Sequence, residues 1–163
     1  MAWTHMKILI AGIGNLLMGD DGLGGHVVAK LQLRAWPENV RLLDIGSSPL
    51  AHVAEFQKAD ILIVIDAIKA ETAPGTIHRI TPSSRLKADF SGCKDSSLNA
   101  HGFSILDAIE LARLKGGKPA QIIIYGIEPL DCTPGIGLSA PVMASACRLE
   151  EMILEKILRR GGI

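Results

Sequence analysis

The stretch Lys7-Ile8-Leu9-Ile10-Ala11-Gly12-Ile13-Gly14-Asn15-Leu16-Leu17-Met18-Gly19-Asp20-Asp21-Gly22-Leu23 reads as a strand, a glycine-rich loop and the start of a helix. Lys7 to Ala11 is a continuous apolar run after its first residue, the pattern of a strand buried on both faces. Leu23, Val27 and Leu31 then recur at helical spacing. A glycine loop between strand and helix usually cradles a phosphate, because the N–H groups and dipole at a helix N-terminus favour anions. Asp20 and Asp21 reverse the sign of this loop. Their carboxylates repel a pyrophosphate and attract a cation, so the loop points to metal recognition rather than nucleotide binding.

The same alternation continues along the chain. Val40–Asp44, Ile61–Asp66 and Gln121–Gly126 read as further buried strands, and Thr76–Thr81 alternates as an edge strand does. Helical spacing returns in Phe103, Leu106 and Ile109, and again in Val142, Ala146, Leu149, Ile153 and Ile157. Ser139 is placed to N-cap the last helix, with Pro141 in its first turn and Gly161 after its end. A shorter helix is expected over Pro49–Lys58. Ser83–Asn99 is the longest irregular segment, a kind of loop that is often functional. No repeat or linker divides residues 1–163, which predicts one α/β domain. Its expected architecture is a three-layer α/β/α sandwich, a mostly parallel, twisted five-stranded sheet flanked by helices on both faces.

Composition excludes several functions. Hydrophobic residues make up 48% and charged residues 21%, the balance of an ordered globular chain. Lys plus Arg and Asp plus Glu both number 17, so no net basic field attracts nucleic acid or an anionic membrane. Met1–Met6 has no signal-peptide pattern and no apolar run spans a bilayer, so a cytoplasmic protein is expected. Cys93, Cys132 and Cys147 are odd in number and irregularly spaced, which favours free thiols, with Cys147 packed in the last helix.

In a parallel α/β sheet, ligands bind beyond the carboxyl ends of the strands. Asp20 and Asp21 follow the first strand, Asp44 ends the second and Asp66 ends the third. A carboxylate closing an apolar strand is costly without a partner, and a shared cation supplies one. His101 precedes the helix that begins near Gly102 or Phe103, where the positive helix end favours neutral imidazole. Carboxylates plus one imidazole, with positions left open, suit nickel, zinc, manganese or iron better than calcium.

Gly12-Ile13-Gly14-Asn15 followed by Gly19-Asp20-Asp21-Gly22-Leu23-Gly24 resembles the opening motif of the nickel–iron hydrogenase maturation endopeptidases. The resemblance continues through Asp44-Ile45-Gly46-Ser47, Val64-Ile65-Asp66-Ala67, Pro74-Gly75-Thr76 and Asn99-Ala100-His101. It ends with Tyr125-Gly126-Ile127-Glu128-Pro129 and Gly135-Ile136-Gly137-Leu138-Ser139. Each piece is weak alone, but the ordered set is specific. It implies an enzyme that removes the C-terminal extension from the precursor of the hydrogenase large subunit once nickel has been inserted. The implied metal ligands are Asp21, Asp66 and His101. Some members carry Glu where this chain has Asp21. Nickel would arrive with the precursor, and no tightly bound cofactor is expected in the free protein, itself a monomer. Hydrolysis would use the metal to polarise the scissile carbonyl or activate water, or use Asp21 or Asp66 as general base. The family is often grouped with aspartic-type endopeptidases, although no pepsin-like pair of Asp-Thr/Ser-Gly motifs occurs here.

Other readings compete at each residue. Asp20 is expected to make an N-cap or loop hydrogen bond rather than bind metal. Asp21 has the alternative of a first-turn charge on the helix dipole, and Asp44 is expected to anchor its loop or support the site indirectly rather than bind metal. His101 has that of an ordinary helix-start residue. His5, His26, His52 and His78 are expected to be structural or on the surface, with His26 one turn from Gly22. The competing functions are a Rossmann-like dinucleotide-binding module and a noncatalytic nickel-binding chaperone. The first is opposed by the glycine spacing, since the third glycine is Gly19, and by the two acids.

Overall fold

The computed structural model of the chain describes residues 3–82 and 105–159. Its strands are β1 (Ile8–Ile13), β2 (Val40–Gly46), β3 (Ile61–Ala67), β4 (Ile77–Ile80) and β5 (Gln121–Ile127). They form one sheet in the order β2-β1-β3-β5-β4. All pairings are parallel except that of β4, which lies antiparallel on the edge beside β5. The expected edge strand is therefore present, and it accounts for the one alternating segment among continuous apolar ones.

Both faces of the sheet are covered, which is why the central strands read as unbroken apolar runs. Alternate residues serve opposite cores. Ile10, Ile63, Ile65, Ile123 and Tyr125 face α1 (Leu23–Leu31) and α4 (Ala140–Leu154). Leu9, Leu62, Val64, Ile122 and Ile124 face α2 (Val53–Lys58) and α3 (Ile105–Leu114). The strand period of two thus assigns each side chain to one layer. This is the three-layer fold expected from the sequence. Tyr125 is buried with its hydroxyl 3.1 Å from the Lys156 ammonium, so its polar tip is satisfied.

Local details differ from expectation. Pro49–His52 is a 3₁₀ turn that leads into α2, so the helix expected over Pro49–Lys58 is α-helical only in its second half. The start of α3 near Gly102 or Phe103 and the Ser83–Asn99 segment lie outside the described residues, as does Cys93. Cys147 lies on α4 but is exposed, because Val142, Ala146, Leu149 and Ile153 already fill the helix face that meets the sheet. Cys132 is disulfide-bonded, against the expectation of a free thiol. Spacing along a chain does not decide which side chains meet in space. Among the described residues, no helix is long and apolar enough to cross a membrane.

One close approach seats α1 on the sheet. A Cβ at Gly24 would lie 2.2 Å from the Ile13 nitrogen, 2.3 Å from the Ile13 oxygen and 2.6 Å from the Ile65 oxygen. All three are backbone atoms that cannot turn aside, so only glycine permits this contact. Gly24→Ala is expected to cost at least about 3 kcal/mol, the upper part of the range for overpacking. A urea midpoint unchanged from the parent would show that α1 is not seated this way.

Candidate functional site

The Gly24 contact also positions the candidate site. Ile65 pairs with Gly12 on β1, so Asp66 comes level with the carboxyl end of that strand. Asp21 lies three residues before Gly24, in the 3₁₀ turn Gly19–Gly22 that enters α1. The same packing that presses Gly24 against Ile13 and Ile65 therefore brings the Asp21 turn to the sheet edge where Asp66 ends its run. Both carboxylates are partly accessible, unlike the fully buried Ile61–Ile65 that precedes Asp66. His101 lies outside the described residues. Among the described residues, no three His, Cys, Asp or Glu side chains group as a metal cage.

The loop after β1 is rigidly built. The Asn15 amide donates to Asp21 Oδ2 at 2.9 Å, and Asn15 Oδ1 accepts from the Leu17 amide at 2.9 Å. Gly14 adopts φ +129°, and a Cβ there would lie 1.7 Å from the Asp21 carbonyl oxygen, so the chain folds back on itself at this glycine. The loop cannot act as a phosphate cradle, because its amides are already used. Gly14 donates to Gly46, Met18 to Asn15, Gly19 to Gly135, Asp20 to Asp131 and Asp21 to Met18. The dinucleotide reading thus loses the open N–H groups it needs.

Asp20 has the structural role expected of it, on a larger scale. It is fully buried. Its Oδ2 accepts from the amides of Leu130 and Asp131, both at 2.9 Å, and from Ser139 Oγ at 2.8 Å. Its Oδ1 accepts from the Ser139 amide at 2.7 Å. Ser139 precedes α4 as expected, but its hydroxyl serves Asp20 and makes no cap bond to the helix. One buried carboxylate thus binds the loop after β1 to the loop after β5 and to the start of α4. Asp44 is a loop anchor: its Oδ1 accepts from the Gly46 amide at 3.0 Å.

Glu128 has a structural role that its place in the Tyr125–Pro129 motif does not disclose. Glu128 is buried, and its Oε2 accepts from the Ala70 amide at 2.7 Å and from Thr72 Oγ1 at 3.0 Å. It clamps the segment that follows Asp66, including Glu71 at the uncommon φ of 57°. Its signal was available as an acid directly after the apolar run of β5, the same pattern that singled out Asp66. His78 belongs to this clamp, with Nε2 2.9 Å from Thr72 Oγ1, which fits the structural role expected of it. His26 is half-buried on α1, and its pKa is lowered by burial and then by nearby Lys30, which keeps the ring neutral.

Comparison with known proteins places this geometry in a family. Residues 25–156 match the family model described as hydrogenase maturation protease. The chain belongs to the hydrogenase maturation protease family. It is 36% identical to the hydrogenase expression/formation protein HoxM of Azotobacter vinelandii, over 98% of this chain and 76% of that one. It is 30% identical to the hydrogenase 2 maturation protease of Escherichia coli, over 97% of this chain and 94% of that one. Among solved structures, the hydrogenase maturating endopeptidase HybD from E. coli superposes with a TM-score of 0.81 at 28% identity. That match covers 96% of this chain and 94% of HybD. As a maturation protease, the chain is an endopeptidase-type hydrolase. The family match begins after the Asp21 turn and includes the positions of Asp66 and His101.

Proposed function

We propose that this maturation protease removes the C-terminal extension from the nickel-loaded large-subunit precursor of a nickel–iron hydrogenase. Asp21, Asp66 and His101 complete the coordination of the nickel that the precursor carries, so the metal acts as the signal that licenses cutting. The observation that supports this reading is that the turn carrying Asp21 packs on β3, near whose carboxyl end Asp66 lies. Both carboxylates are partly accessible, so a cation brought by another protein can reach them. Carboxylate and imidazole are ligands suited to a borderline divalent ion, and an incomplete set explains how the metal can arrive with the substrate. The nickel supplies Lewis acidity toward the scissile carbonyl or a water. Whichever of Asp21 and Asp66 is left with a free lone pair takes the proton from the attacking water.

The test compares two forms of one precursor. Nickel-loaded precursor incubated with the protein is expected to shorten at its C-terminus, as read by intact mass, while nickel-free precursor keeps its full mass. Equal cutting of both forms would refute recognition through nickel. No cutting of either form would refute the assignment of this substrate.

A further inference from the structure

We infer that the two loops joined by Asp20 form a preformed docking surface for the protein substrate, contacting a segment that carries apolar side chains beside Lys or Arg. This rests on the proposed function for the identity of the substrate. Four large apolar side chains stand out in solvent on these loops: Leu16 is 51% exposed, Leu17 63%, Leu130 59% and Ile136 88%. Scattered exposed leucines are ordinary, but these four lie on two loops bonded to each other. Gly19 donates to the Gly135 carbonyl at 2.8 Å, Gly135 to the Leu17 carbonyl at 2.9 Å, and Met18 and Gly135 form a β-bridge. The Asp20 carboxylate locks the same two loops from beneath. The apolar side chains are therefore held in place before any partner arrives, which lowers the ordering cost of binding.

Two observations select the occupant. The surface adjoins the candidate site, since Leu16 and Leu17 share a loop with Asp21, so a protein that presents a metal to Asp21 approaches that same loop. The loops are also one-signed. Residues 12–22 and 128–139 contain Asp20, Asp21, Glu128 and Asp131 and no Lys or Arg. Asp131 is exposed and Asp21 partly so, which complements a positively charged segment and repels an acidic one.

The test is steady-state cleavage of the cognate nickel-loaded precursor by the parent and by the double variant Leu17→Ser/Ile136→Ser. Far-UV circular dichroism confirms that the variant is folded. KM is expected to rise at least about tenfold, with kcat within about twofold, because apolar anchors at an interface act on binding. In the parent, KM is expected to rise as ionic strength increases from about 0.05 to about 0.3 M. An unchanged KM in the folded variant overturns the docking surface, and so does a loss confined to kcat. A KM indifferent to salt overturns the basic character of the segment. If sedimentation shows a parent dimer that the variant converts to monomer, the occupant is a second copy and the inference fails. Failure of the parent itself to cut the precursor would instead be a failure of the proposed function, so the two are separable.

Discussion

Asp66→Asn and Asp21→Asn are each expected to lower kcat/KM for nickel-loaded precursor by at least about 10²-fold, with the fold unchanged by circular dichroism. The amide is nearly isosteric with the carboxylate, but it is uncharged and a poor metal ligand and base. At Asp21 the substitution is a clean one. Asn15 donates to a single oxygen of this side chain, and an asparagine keeps an oxygen to accept it. Loop shape is thus preserved while charge is removed. Asp21→Ala would lose both and would confuse the two effects. Asp66 closes a strand whose five preceding residues are fully buried, so its backbone is held by β1 and β5 whatever its side chain. His101→Ala is expected to fall in the same way, since it removes the one nitrogen ligand of the proposed set. Full activity in all three variants would show that the chemistry lies elsewhere in the chain.

Asp20→Ala is expected to be the most destabilising single change, at about 3–5 kcal/mol. It removes the fully buried acceptor shared by three amides and one hydroxyl. Leaving such donors unpaired costs more than forming the bonds contributes. Against a typical total stability of about 5–15 kcal/mol, this is a large share. Asp20→Asn is expected to lose less, because one oxygen remains, but its amide nitrogen would face N–H groups that need an acceptor. Urea denaturation measures both. A loss below about 1 kcal/mol for the alanine variant would mean that the two loops are held together by something other than this carboxylate. The adjacent pair Asp20–Asp21 thus separates, one acid fully buried and binding two loops, the other partly accessible at the turn into α1.

That separation was partly legible beforehand. Neighbouring residues in a tight turn point in different directions, so one acid was expected to be structural. Its partners were not legible, because Leu130, Asp131 and Ser139 lie more than a hundred residues further along the chain. The same limit applies to Ser139. Its place before a helix is a local signal, while the use of its hydroxyl by Asp20 is a long-range one. The partners of Glu128 are hidden from the sequence for a related reason: the segment it clamps belongs to another strand connection. Cys132 shows the limit most plainly, since irregular spacing along the chain does not tell which thiols become neighbours in a fold.

The order of apolar runs, their lengths and the residues that interrupt them were enough to read the layered, mostly parallel sheet, its alternating edge strand and the strand ends after which the acids fall. Those features follow from periods of two and about 3.6, which operate within a few residues. The antiparallel direction of the edge strand came from the tertiary structure. Packing alone decided that α1 touches β1 and β3 through Gly24, that one buried carboxylate joins two distant loops, and that four apolar side chains on those loops are left facing solvent. Each of these depends on contacts between segments far apart in the chain, formed only once the core has brought them together.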